Sequence, residues 1–243
     1  MNSNKIEYLR KYIDDESKFE DAVWRMKNNE PVQYIIGNVN FHGLIFDVDK
    51  RVLIPRFETE ELVEKTIGYI KKHFKEPVNI LDVGTGSGCI AITLKLKTNS
   101  NVDAVDISEC ALEVAIDNAK KLNADVKIFK SNMLESVDSK YDVIISNPPY
   151  ISFDEEIMDI VKNNEPHIAL YAECNGLKYY EDILSNAKKN LKEKNLIAFE
   201  IGDSQGKKVA TIIEKYFPNS KISIEKDLQN RDRFIFVFNE IDN

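Results

Sequence analysis

Cysteine and histidine are scarce, with three of each in 243 residues. Cys89, Cys110 and Cys174 are odd in number and none belongs to a C-x-x-C pair. That argues against a disulfide framework and leaves buried free thiols as the expectation. His42, His73 and His167 are scattered, without metal-ligand spacing, so no metal is expected. No serine sits in a G-x-S-x-G elbow, which removes the usual signal for an acyl-transfer triad. No apolar run is long enough to span a bilayer, and residues 1–7 lack a signal-peptide core. A cytoplasmic location is expected. A basic excess is also missing: 33 Lys and Arg face 41 Asp and Glu, a formal charge of −8. Such a chain is a poor candidate for non-specific binding to duplex nucleic acid, which requires phosphate neutralisation. Internal repeats and low-complexity tracts are absent.

The remaining composition, 43% hydrophobic and 30% charged, is that of a globular protein. The length suits one α/β domain with a small appendage. Residues 5–29 carry two apolar stripes at helical spacing, one through Ile6, Leu9, Tyr12 and Ile13 and one through Phe19, Val23, Trp24 and Met26. They predict two short helices that dock as a cap. After Pro31, alternation around Gly43 predicts a β-hairpin, with His42 as a solvated turn residue. Residues 61–74 read as a helix introduced by Pro55 and an acidic first turn. Arg56 and Glu58 precede it, and pairing with each other or capping that helix accounts for them.

Residues 78–83 form an apolar strand that runs straight into Gly84-Thr85-Gly86-Ser87-Gly88, and a helix follows from Cys89. Glycines allow a tight turn and bring bare backbone up to a ligand, while the helix start offers free N–H groups. The spacing is neither the G-x-G-x-x-G dinucleotide fingerprint nor a P-loop, whose Lys-Ser/Thr is missing. A second strand, 102–106, ends on Asp106, 22 residues beyond Gly84, where a ribose-binding acid is expected. Capping of the helix that starts near Glu109 is the other use of that carboxylate. A helix over 111–122 and a strand over 126–129 follow.

The fourth strand, 141–146, delivers Asn147-Pro148-Pro149-Tyr150. Two prolines stop a strand and stiffen the chain. Asn147 brings an amide carbonyl and an NH2 group, and Tyr150 a flat ring. This combination suits a planar group bearing an NH2. The Asn147 side-chain carbonyl and the Pro148 backbone carbonyl can each take one hydrogen from a nitrogen whose delocalised lone pair makes it a weak nucleophile. Catalysis would then rest on positioning and electrostatics. Taken alone, Asn-Pro-Pro is equally a turn after a strand. In open parallel sheets the loops after the first and fourth strands face one crevice, so the glycine loop and Asn147 are expected to share a pocket. Residues 151–175 lack periodicity, which near a site often marks function. Helices at 177–191 and 205–217, a strand at 196–201 and a late antiparallel pair, 220–225 with 233–238, complete the chain. The expected fold class is α/β: a doubly wound Rossmann-like sheet ending in an antiparallel pair.

Asp82-x-Gly84-x-Gly86-x-Gly88, Asp106 and Asn147-Pro148-Pro149-Tyr150 together resemble the class I S-adenosylmethionine-dependent methyltransferases. The Asn-Pro-Pro-Tyr form occurs in adenine-N6 DNA methyltransferases and in the glutamine-N5 methyltransferases of peptide chain release factors, the HemK/PrmC family. The chain is similar to the second group through Pro31-Val32-Gln33-Tyr34-Ile35-x-Gly37, Pro55-Arg56-x-Glu58-Thr59-Glu60, Glu165-Pro166, Asn175-Gly176-Leu177, Glu200-Ile201-Gly202 and Asp232-Arg233. The likeness runs from about Pro31 to the C-terminus. It implies methyl transfer from S-adenosylmethionine, giving S-adenosylhomocysteine, to the glutamine amide of the Gly-Gly-Gln tip of class I release factors. It implies that Asp82, Gly84, Thr85, Gly86, Ser87, Gly88, Asp106 and Asn147 hold the cofactor, that Asn132 and Met133 flank its adenine, and that Asn147, Pro148, Pro149 and Tyr150 clamp the substrate amide. It implies three segments: a helical substrate-recognition region over 1–30, a hairpin linker over 31–54 and the methyltransferase domain over 55–243. Three departures accompany it. Phe57 replaces a proline, Asn132 replaces a frequent Asp that would contact adenine, and the region before Pro31 is shorter than the family's helical domain, which bears on substrate recognition.

A DNA adenine methyltransferase would need a target-recognition domain with a basic and aromatic surface for base flipping, and the acidic chain has no length to spare for one. A non-catalytic S-adenosylmethionine-binding protein would not need Asn147 and Tyr150. A nicotinamide dehydrogenase would need a different glycine spacing and a hydride-site acid or base. No membrane and no nucleic-acid partner are expected.

Overall fold

The structure, a computed structural model, describes residues 3–241, so residues 1–2 and 242–243 of the expected first and last segments lie outside it. The chain begins with three short helices, α1 (Ser3–Arg10), α2 (Glu16–Lys27) and α3 (Val32–Ile36). Asp15 caps α2 by accepting from the Lys18 N–H at 2.9 Å. Leu9, Ala22 and Val32 bury together under Phe19, Met26 and Ile35, a core too small to stand alone. Gly37, in the left-handed region, ends α3, and the hairpin β1 (Asn38–Phe41) and β2 (Leu44–Asp47) follows. His42 and Gly43 form its two-residue turn, both with positive φ. His42 is on the turn as expected, and its Nε2 lies 3.1 Å from Glu64 Oε2.

The rest of the described chain alternates helices and strands: α4 (Phe57–His73), β3 (Asn79–Val83), α5 (Cys89–Lys97), β4 (Asn101–Asp106), α6 (Glu109–Lys121), β5 (Lys127–Lys130) and β6 (Tyr141–Ser146). Short turns α7 (Asp159–Lys162) and α8 (Glu173–Gly176) lead to α9 (Lys178–Asn190), β7 (Leu191–Glu200), α10 (Gly206–Tyr216), β8 (Lys221–Lys226) and β9 (Asp232–Asn239). Seven strands pair in the order β5-β4-β3-β6-β7-β9-β8. All pairings are parallel except those of β9, which lies between β7 and β8 and is antiparallel to both. This is the expected α/β class with its antiparallel end.

Strand periodicity sorts the core into two layers. Ile80, Val143, Ile145, Leu196, Ala198, Phe234 and Phe236 face α4 and α5, where they meet Leu62, Ile67, Ile70 and Ile92. Their neighbours Leu81, Ile144, Ile197, Phe199, Ile235 and Val237 face α9 and α10, where they meet Tyr180, Ile183, Leu184, Val209 and Ile213. Because both faces are covered, the central strands are mostly apolar along their length rather than alternating. The hairpin joins the first layer through Phe41 and Phe46. Buried Asn118 of α6 then locks it in place. Its Oδ1 accepts from Asp47 N at 2.8 Å, and its Nδ2 donates to the carbonyls of Asp47 at 2.9 Å and Ser87 at 3.0 Å. One side chain therefore ties the hairpin to the glycine loop. Among the described residues no helix is long and apolar enough to cross a membrane, and no group of His, Cys, Asp and Glu is placed to hold a metal ion.

Candidate active site

Strands β3 and β6 are neighbours, so the loops that leave their C-terminal ends meet, as the motif order predicts. Between them lies a cleft of about 780 Å3, counted to its open mouth. Gly84, Gly86, Asp106, Asn132, Met133, Asn147 and Pro149 line it, together with Ile107, Ser108 and Ile168. A second cleft of about 430 Å3 adjoins it, lined by Pro148, Tyr150, Arg56 and Glu200. Leu53, Asn147, Pro149 and Ala169 line both. The Asn-Pro-Pro-Tyr turn thus forms the wall between two compartments. Asp82, Thr85, Ser87 and Gly88 line neither. A Cβ on Gly88 would meet Ile92 Cδ1 at 2.8 Å and Ala115 Cβ at 3.3 Å, so this glycine serves the packing of α5 on α6.

The glycine loop is held from below by acids. Asp82 is fully buried and its Oδ2 accepts from Thr85 Oγ1 at 2.6 Å, while its Oδ1 has no hydrogen-bond partner. Burial pushes its carboxyl up to about 7, against the Thr85 bond. Asp106 takes the Gly86 N–H on Oδ2 and the Ser108 N–H on Oδ1, both at 2.9 Å. Burial raises its carboxyl as well. The helix cap on α6 falls to Ser108, whose Oγ accepts from Ala111 N at 3.2 Å. Capping is therefore not the use of Asp106, and each of its oxygens keeps a lone pair for a further donor. On the other rim Asn132 is exposed and gives its amide to Glu135 Oε1 at 2.8 Å.

Around the second cleft a chain of side chains fixes the turn. Asn147 Nδ2 donates to Thr59 Oγ1 at 3.1 Å, and Thr59 Oγ1 donates to Glu200 Oε2 at 2.7 Å. Tyr150 donates its hydroxyl to Glu200 Oε1 at 3.3 Å. Thr59 and Glu200 are both buried. Burial pushes the Glu200 carboxyl up to about 7, opposed by the Thr59 bond and the Arg233 charge, and it raises the Tyr150 hydroxyl too. Neither Thr59 nor Glu200 was assigned a role from sequence. The available signal was their place in two of the family-like segments, with Glu200 a carboxylate after the apolar run 196–199.

Arg56 and Glu58 do not pair with each other, and Arg56 makes no side-chain cap to α4. Arg56 pairs with buried Glu165, whose other oxygen accepts the Ile54 N–H at 3.1 Å, and Glu58 pairs with Arg231 at 3.2 Å. The Arg56 pair pins segment 151–175 across the site, where Ile151 also bridges Tyr171. The thiols differ from expectation: Cys89 is buried and pushed up to about 12, but Cys110, in the first turn of α6, and Cys174, in the left-handed turn before α9, are exposed.

Two buried acids raised to about 7 fix the sign of a pH effect. Unfolded carboxylates titrate near ~4, so the stability these groups contribute is complete below that and is lost as pH rises through about 7. The ligand-free protein is expected to show a urea midpoint that falls between about pH 5.5 and 7.5. A midpoint that is flat or rising over that interval would mean that these acids are ionised in the fold at no cost.

The Methyltransferase small domain family matches residues 60–167. The chain is 42% identical over 242 residues to the release factor glutamine methyltransferase of Lactococcus lactis subsp. lactis, spanning 96% of this chain and 88% of that one. It is 42% identical over 230 residues to the protein of the same name from Bacillus subtilis, spanning 91% and 80%. Among solved structures, a methyltransferase from Pyrococcus furiosus superposes with a TM-score of 0.60 at 18% identity, covering 90% of this chain and 98% of that one, a likeness of fold alone. Two-fifths identity sustained over most of both chains is far more than a common fold demands, and by it this chain belongs to the release factor glutamine methyltransferase family.

Proposed function

We propose that this protein methylates the side-chain amide nitrogen N5 of the glutamine in the Gly-Gly-Gln motif of class I peptide chain release factors, using S-adenosylmethionine. The observation that supports the reading is the junction of two clefts at Asn147 and Pro149, one suited to the cofactor and the other to the acceptor amide. The first cleft fits the cofactor. Gly84 and Gly86 present bare backbone, where a Cβ would meet no protein atom within 4 Å. Asp82, buried beneath the loop, holds Thr85 and so shapes the backbone that would meet the cofactor. Asp106 offers its remaining lone pairs to ribose hydroxyls, and Asn132 and Met133 would flank the adenine.

When bound, S-adenosylmethionine supplies an electrophilic methyl on a sulfonium sulfur. In the second cleft the Asn147 Oδ1 and the Pro148 carbonyl each accept one hydrogen of the substrate NH2, and the Tyr150 ring packs on the amide plane. These contacts fix the nitrogen and direct its lone pair toward the first cleft, and once the nitrogen carries the methyl one of its two held hydrogens leaves as a proton to water. The glutamine needs no side-chain nucleophile. We propose also that residues 1–30 serve substrate recognition and 31–54 link them to the methyltransferase domain over 55–243, which carries the chemistry. The test is transfer of labelled methyl to purified release factor, to its Gln→Asn tip variant and to adenine-containing DNA. Label is expected on the unmodified factor alone. Equal label on the Gln→Asn factor, or label on DNA, would overturn the reading.

A further inference from the structure

An amide can accept a substrate NH2 only if its carbonyl, not its own NH2, faces the substrate. Asn147 can present either, and nothing in its own rotamer decides between them. We infer that Thr59 and Glu200 are positioning residues that make this choice: Glu200 holds the Thr59 hydroxyl, and Thr59 holds the Asn147 NH2 away from the acceptor cleft, so that Oδ1 faces into it. The inference rests on the function proposed above and deepens it.

The hydrogen count enforces the direction. An ionised carboxylate can only accept, so Thr59 must spend its single hydroxyl hydrogen on Glu200 Oε2, at 2.7 Å. Its oxygen can then only accept toward Asn147, and the group it meets at 3.1 Å must be the NH2. A Glu200 protonated on Oε2 reverses each step. It donates to Thr59, which releases the hydroxyl hydrogen toward Asn147, and the amide then turns its NH2 to the cleft, where it opposes the substrate NH2. Glu200 is buried, at the edge of the second cleft. From α4 it faces Thr59 and Glu58, from α5 Cys89, from the turn after β6 Tyr150, and from β9 Arg233. Tyr180 of α9 donates to its backbone carbonyl at 2.8 Å. Burial raises its carboxyl to about 7, so the two orientations of Asn147 are expected to exchange near neutrality.

The test uses the full-length protein and two readouts. In nitrogen-15 NMR of the ligand-free protein, the Asn147 side-chain signals, identified by their loss in Asn147→Ala, are expected to titrate near pH 7 and to stop doing so in Thr59→Val. In turnover with release factor, kcat is expected to rise with unit slope through about pH 7 in the wild type. Thr59→Val is expected to lower kcat by about tenfold or more and to abolish that limb, with KM for S-adenosylmethionine within about twofold. Thr59→Ser, which restores the hydroxyl, should recover both. A Thr59→Val enzyme that is slow but keeps the pH limb overturns the relay, as does one that keeps wild-type kcat. Absence of transfer from the wild type to any release factor overturns the function instead, and Asn147 signals that neither titrate nor respond to Thr59→Val then overturn the relay independently.

Discussion

Asn147→Ala is expected to reduce methyl transfer by about 10²–10³-fold while the protein stays folded and still binds S-adenosylhomocysteine. The side chain is only half-buried, and its truncation removes one neutral hydrogen bond, to Thr59, worth about 1 kcal/mol. Thr59 keeps its bond to Glu200, and Tyr150 keeps its own, so the wall between the clefts survives. The loss falls on the substrate nitrogen, which keeps only the Pro148 carbonyl to hold it. An interaction made mainly as that nitrogen becomes tetrahedral should appear in kcat and in kcat/KM alike. Single-turnover rates, with S-adenosylhomocysteine binding measured by calorimetry, check it. A raised KM for the release factor at unchanged kcat would show that Asn147 merely binds the glutamine, and the positioning account would fail.

Local signals carried much of the fold. Each central strand is an apolar run with a turn residue at its end, so β3, β4, β6 and the glycine loop could be placed from sequence to within a residue or two. The same logic failed where the tertiary environment decides. Residues 32–36 are apolar enough for a strand, yet Gly37 closes them as a helical turn and the hairpin starts only at Asn38. β7 begins at Leu191, five residues before its apolar run, because Lys192, Glu193 and Lys194 lie outside the buried part of the strand. Insertion of β9 between β7 and β8 is a matter of pairing at a distance, to which a short link is silent. The site divides likewise. Asp106 and Asn147 sit in compact motifs whose chemistry shows in the residue types. Thr59 and Glu200 are 141 positions apart, and their bond exists only once α4 lies over β7.

Gly176→Ala is expected to cost about 3–5 kcal/mol of stability and to remove activity with it. Its φ is +79°, and Cys174 and Asn175 before it both lie at +56°, so three successive residues occupy the left-handed region. Each non-glycine residue there costs about 1–2 kcal/mol, and the chain already bears two. A methyl at Gly176 would add a third and would enter the carbonyl oxygen of Tyr150, besides lying 2.6 Å from Gln205 Nε2. Gln205 cannot yield cheaply, since Nε2 donates to that same Tyr150 carbonyl at 2.9 Å while its Oε1 accepts from Gly202 N at 2.9 Å. The bare Cα of Gly176 is therefore what lets the Asn-Pro-Pro-Tyr turn rest on the segment before α9. Gly43 separates the two contributions: its φ is +80°, but a Cβ there meets nothing within 4 Å. Gly43→Ala should then cost only the backbone part, about 1 kcal/mol. Urea midpoints of the two variants decide between strain and contact. If Gly176→Ala is no worse than Gly43→Ala, the turn has room to move, and close approach to Gly176 is not what holds Tyr150 in the site.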